Sequence, residues 1–165
     1  MSRVGESVSG RKNPRRMIGV IGAADGSASE LKMAREVGRE IARCGFVLVC
    51  GGLEGVMEAA CRGACEEGGM TIGILPGTRR SDANAFVDIP IITGMGHARN
   101  LLIVQTAGAV VALPGGAGTL SEVALALKVG TPVIALGAWS HIDGVQAADT
   151  PAEAVRMAAK LAGKS

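Results

Sequence analysis

Chemistry in this chain is concentrated in nine residues, Pro114-Gly115-Gly116-Ala117-Gly118-Thr119-Leu120-Ser121-Glu122. An apolar, β-branched run, Val110–Leu113, precedes them, and a helical pattern begins at Thr119. The order is strand, glycine loop, helix N-terminus. Such a loop gathers backbone N–H groups on an anion, because no Cβ blocks the approach and the helix dipole favours negative charge. Gly115, Gly116, Gly118 and Thr119 are therefore candidate phosphate contacts. The loop is not a P-loop, since no lysine precedes Thr119, and no stretch of the chain matches G-x-G-x-x-G.

Glu122 admits two readings. Thr119 and Glu122 have the spacing of a capping box, in which the carboxylate reaches back to the Thr119 N–H. In the other reading the carboxylate faces the mouth of a crevice. There it can contact a sugar hydroxyl or stabilise positive charge developing at a ribose carbon. Arg99 is the second candidate for chemistry. It heads an otherwise apolar helical stretch (Leu101, Leu102, Ile103, Val104), where a cation opposes the helix dipole. Glu122 or a ligand phosphate nearby would offset that cost; the plain alternative is an arginine snorkelling to solvent. A second glycine loop, Gly51-Gly52-Leu53-Glu54-Gly55, adds Gly51, Gly52 and Gly55 as candidate ligand contacts. His97 reads as a turn residue, Met57 and Met95 as core, and Glu58 as a solvated acid near a helix start. Arg79 and Arg80 lie in a polar loop, where they either clamp an anion or are simply solvated.

The elements that must position these residues follow from the apolar pattern. Strands are expected at 17–21, 46–50, 71–75, 89–92, 109–113 and 132–136. The fourth contains Pro90, which suits an edge. Helices are expected after Ser27, which has capping-box spacing to Glu30, after Gly55, over 97–106, over 119–129, and from Pro151 to Leu161. Residues 139–150 read as irregular. The strands are continuous apolar runs alternating with helices. That pattern signals an α/β fold: a doubly wound, Rossmann-like parallel sheet in a single domain. Ligands of such sheets sit beyond the carboxyl ends of the strands. The loops at 22–26, 51–55, 94–96 and 114–119 all leave those ends and can converge on one crevice.

The 165 residues are 48% hydrophobic, enough for one domain with a real core. Aromatics are only 2%, so a stacking platform for single-stranded nucleic acid has almost no material. The net charge of +2 is uneven: residues 1–16 carry five of the 17 bases and one of the 15 acids, leaving 12 bases and 14 acids in the body. Residues 1–16 thus read as a basic, solvated tail and 17–165 as the nucleotide-phosphate-binding domain. Nucleic-acid binding is not expected of the slightly acidic body. The four cysteines, at 44, 50, 61 and 65, lack C-x-x-C spacing, and His97 and His141 are distant, so no metal site is expected. Cys44, Cys50 and Cys61 sit among apolar residues like reduced thiols, which points to a cytoplasmic protein. Neither a signal peptide nor a membrane span is expected.

The nine-residue motif resembles the PGGxGTxxE signature of the LOG ("Lonely Guy", lysine decarboxylase-like) family, and Gly51-Gly52-Leu53-Glu54-Gly55-Val56-Met57 resembles that family's second glycine motif. The likeness covers about residues 17–137. It implies a Rossmann-like fold, self-association as a homodimer or higher oligomer, and cleavage of the N-glycosidic bond of AMP or of cytokinin riboside 5′-monophosphates. It also implies catalytic roles for Arg99 and Glu122 and phosphate contacts from the glycine loop and Thr119. Asn100 stands where the family commonly has lysine, and Gly108 where it often has an acid. The wording Gly94-Met95-Gly96…Arg99-Asn100 is similar to a sister branch of molybdenum-cofactor carrier proteins, which bind a pterin phosphate without cleaving it. Two functions are thus expected of one loop: a phosphoribohydrolase, or a non-catalytic carrier of a phosphorylated pterin or other nucleotide. Neither requires a metal or a nicotinamide cofactor.

Overall fold

Runs of four or five apolar residues bounded by glycines become strands buried on both faces. In the computed structural model, which describes residues 16–163, these are β1 (Met17–Ile21), β2 (Val47–Cys50), β3 (Thr71–Leu75), β5 (Ala109–Ala112) and β6 (Val133–Leu136). Two more exposed strands complete a seven-stranded sheet: β4 (Ile89–Ile92) and β7 (Gln146–Ala148). The order is β4-β3-β2-β1-β5-β6-β7, and every pairing is parallel. The helices are α1 (Ala28–Arg43), α2 (Val56–Glu66), α3 (Asn100–Thr106), α4 (Ala117–Val129) and α5 (Pro151–Ala162).

Alternation along each strand builds two cores. Ile18, Val20, Ala109 and Val111 face α1, α2 and α5, where Val37, Ile41, Val56 and Val155 meet them. Ile21, Val110 and Ala112 face α3 and α4, meeting Ile103, Val104, Val123 and Ala126. Covering both faces is what permits an all-parallel sheet. With few aromatics available, packing relies on close backbone approach. A Cβ on Gly38 of α1 would lie 1.9 Å from the Ala60 carbonyl oxygen of α2, so these helices touch only because that side chain is missing.

Several helix ends match the sequence reading. Ser27 and Glu30 form the expected capping box, and Pro151 occupies the first turn of α5. Pro90 lies in the edge strand β4. Other expectations are corrected. The helix expected over 97–106 begins as a 3₁₀ turn, Gly96–Arg99, and becomes α-helical only at Asn100. The 139–150 segment contains β7, whose Gln-Ala-Ala sequence carries no apolar run to announce it. Helix α4 starts at Ala117, two residues earlier than expected, with Gly116 as its N-cap. The basic tail assigned to residues 1–16 falls outside the described residues except for Arg16, whose Nη1 donates to the Gly163 carbonyl at 2.7 Å.

Candidate functional site

From β1 the chain runs outward to β2, β3 and β4, then returns to place β5 on the other side of β1. The carboxyl ends of β1 and β5 therefore splay their following loops apart, which is where ligands of such sheets bind. A cleft of about 270 Å³ lies there. Its walls include Gly22–Asp25 after β1, Leu53 and Met57 near the start of α2, His97, Arg99 and Asn100 before and in α3, and Gly116, Gly118, Thr119 and Glu122 of α4. The Ala23 N–H donates to the Pro114 carbonyl at 3.0 Å, tying the two central loops together.

The glycine loop is shaped for close approach. A Cβ on Gly115 would stand 2.1 Å from the Thr119 Oγ1, so the loop can fold over its helix only with glycine there. Gly116 caps α4 without any side-chain hydrogen bond, so the first amides of that helix have no capping acceptor. Glu122 does not close a capping box, since Thr119 is the third helical residue and Glu122 lies one turn further along. The Ser121 hydroxyl instead donates to the Gly118 carbonyl, at 2.7 Å.

Arg99 does not snorkel: it is 8% exposed. Its Nη1 donates to the Gly51 carbonyl at 2.6 Å and to the Ile74 carbonyl, at the carboxyl ends of β2 and β3. Gly51 must be glycine for this, because a Cβ would fall 2.4 Å from Nη1. Burial lowers the Arg99 pKa from the ordinary guanidinium value, and the nearby Glu122 charge opposes that shift. Burial raises the Glu122 carboxyl to about 7, with Arg99 acting the other way. The two groups sense each other's charge without closing a direct ion pair.

Among the described residues, five polar or charged side chains are buried: Thr71, Arg99, Asn100, Thr119 and Glu122. Thr71 is satisfied, donating to the Phe86 carbonyl at 2.6 Å and accepting from the Asp88 N–H at 2.9 Å. The other four all line the cleft. The Arg99 Nε has no partner among the described residues. Nor do the side chains of Asn100, Thr119 and Glu122 hydrogen-bond within the described protein. Buried polar groups are nearly always paired, so an orphaned Arg99 Nε, beside three polar side chains that open onto one hollow, marks a place built for a polar guest. Two grooves along α1, of about 370 and 490 Å³, are larger. Their charges are exposed or part-exposed, and Arg35 and Arg39 are already ion-paired to Glu66.

Of the candidates named from sequence, Arg99, Glu122, Gly116, Gly118 and Thr119 come together on the cleft wall. Gly115 stands just behind it, against Thr119. Gly51 supports Arg99 from below. The Gly52 N–H donates to the Cys50 Sγ at 3.3 Å, and its carbonyl accepts from the Asn84 N–H at 2.9 Å. Gly55 caps α2 and lies on the α1–α2 groove. Arg79 is solvent-exposed and pairs with Asp82 at 3.1 Å. Sequence reasoning gave no site role to Asp25, named Asn100 only as a departure from the family's lysine, and placed Met57 in the core. Asn100 had one local signal, a polar residue beside Arg99 at the head of an apolar helix.

Residues 15–162 match the SLOG cluster4 family over nearly the whole described chain. The chain belongs to that family. This SLOG protein is 35% identical over 132 residues to the cytokinin riboside 5′-monophosphate phosphoribohydrolase of Mycobacterium tuberculosis, covering 73% of this chain and 69% of that one. The molybdenum cofactor carrier protein of Chlamydomonas reinhardtii superposes with a TM-score of 0.83 at 39% identity, over 91% of this chain and 99% of that one. The molybdenum cofactor binding protein of Rippkaea orientalis does so with a TM-score of 0.83 at 39% identity, over 87% and 95%. The LOG-like resemblance and the doubly wound α/β fold are both borne out. Among the described residues, no helix is long and apolar enough to cross a membrane.

Proposed function

We propose that this SLOG protein is a nucleoside 5′-monophosphate phosphoribohydrolase. It would cleave the N-glycosidic bond of AMP or a cytokinin riboside 5′-monophosphate with water, giving free base and ribose 5-phosphate. The observation that carries this reading is Glu122: a carboxylate buried beside Arg99, unpaired, one turn beyond the amides of a glycine loop. Those amides and Thr119 take the 5′-phosphate. Glu122 then faces the ribose, where a fixed negative charge stabilises an oxocarbenium-like transition state or orients the attacking water. Arg99 holds that charge in place.

A second reading is a non-catalytic carrier of a phosphorylated pterin. It is favoured by 39% identity to molybdenum cofactor carrier proteins across almost their full length. The same loop serves either ligand, so the two readings differ only in what Glu122 does. Incubation with AMP, followed by chromatography for free adenine, separates them. The hydrolase releases adenine, and Glu122→Gln abolishes release while sparing binding. Absence of adenine release, together with binding of a pterin phosphate, assigns the carrier role instead.

A further inference from the structure

Asn100 is the one buried polar group of the cleft that the proposed chemistry leaves unused. It is 5% exposed and lies on the cleft wall between Arg99 and the apolar body of α3. Its backbone N–H is spent on the carbonyls of the preceding 3₁₀ turn, at His97 and Ala98. Its carboxamide has no partner within the described protein. A carboxamide offers two donors and an acceptor. Those of Asn100 open onto the cleft, where a polar guest can meet them.

We infer that Asn100 contacts the ligand's sugar, its carboxamide hydrogen-bonding a ribose hydroxyl. This rests on the phosphate-anchored reading above. The carboxamide is neutral, and in that reading the anion is already served by the amides at the head of α4 and by Thr119. What a neutral donor–acceptor group matches is a neutral donor–acceptor group, and a hydroxyl is one. Asn100 also adjoins Arg99 and lines the same cleft as Glu122, the residue that the same reading sets against the ribose. A site that hydrogen-bonds a hydroxyl discriminates against an analogue lacking it, because its own polar group is then stranded.

Calorimetry with AMP, 2′-deoxy-AMP, 3′-deoxy-AMP and inorganic phosphate tests this. It is done on Glu122→Gln protein, so that ligand is not consumed, with and without Asn100→Ala. The expected result is that Glu122→Gln protein binds AMP about tenfold more tightly than at least one deoxy form. Adding Asn100→Ala erases that preference while phosphate affinity stays within about twofold, which also shows that the fold is intact. A preference that survives Asn100→Ala overturns the assignment, as does the absence of any preference. Loss of AMP affinity with full hydroxyl discrimination retained would move Asn100 to the base, and overturns it too. A parallel loss of phosphate affinity makes Asn100 a support of the loop rather than a sugar contact. Protein that binds neither phosphate nor AMP sinks the phosphate-anchored reading itself, a result distinct from all the others.

Discussion

Glu122 keeps its proton to about pH 7 because burial strips water from its carboxylate, and Arg99 only partly offsets that burial. The carboxylate is the working form in the proposed reaction. Adenine release, measured as kcat/KM, should therefore rise with pH through about 7 and level off above it. A flat profile from pH 5 to 9 would remove Glu122 from the chemistry. The same shift bears on stability. A carboxyl whose folded pKa lies above its unfolded value stabilises the fold fully below the unfolded pKa, and that contribution is lost as pH rises through the folded one. Relative to Glu122→Gln, the wild-type chain should therefore lose on the order of 2–3 kcal/mol between about pH 4 and pH 8. Denaturant titrations of both proteins at several pH values check it. Arg99→Ala should strand two strand-end carbonyls and cost on the order of 3 kcal/mol. It should also shift the Glu122 titration to higher pH, which carboxyl NMR would follow.

At the scale of elements, the α4 entry loop shapes the site and the α1–α2 contact holds the scaffold around it. Gly115→Ala should displace the loop from Thr119 and reduce phosphate affinity by more than about tenfold, read by calorimetry. Gly38→Ala should leave the loop alone but force α1 from α2, lowering stability by about 1–3 kcal/mol in chemical denaturation. The buried strands were legible in the sequence because each is a continuous apolar run, and the α1 cap because Ser27 and Glu30 have the right spacing. β7 was not, since Gln146-Ala147-Ala148 pairs through its backbone with no apolar pattern to give it away. The start of α4 was misplaced because three glycines and an alanine carry no hydrophobic periodicity, and this made Glu122 resemble a cap. The union of Arg99 with Gly51 and Ile74 was invisible for another reason. It joins residues 48 and 25 positions apart through backbone carbonyls, which spacing rules do not address.

For the whole molecule, the reversal of strand order at β1 brings four separate chain segments to one cleft, and an anion held there should stabilise all of them together. Phosphate at a hundred times its dissociation constant should raise stability by about 2.7 kcal/mol, visible as a higher Tm. The surface also carries exposed apolar side chains: Leu120 is 45% exposed and Val129 40% on α4, as are Ile89, Ile91 and Ile92 of β4 at 41–43%. A homodimer or larger assembly is expected, and sedimentation should return at least twice the 16.6 kDa chain mass. The central claim is that the amides opening α4 seat a phosphoryl group. A crystal soaked with AMP or inorganic phosphate tests it most directly. The predicted result is a phosphoryl group within about 2.7–3.1 Å of the N–H groups of Gly116 through Thr119, with Glu122 turned toward the ribose when the nucleotide is present. A ligand bound elsewhere, with those amides bare or turned to protein acceptors, would contradict it.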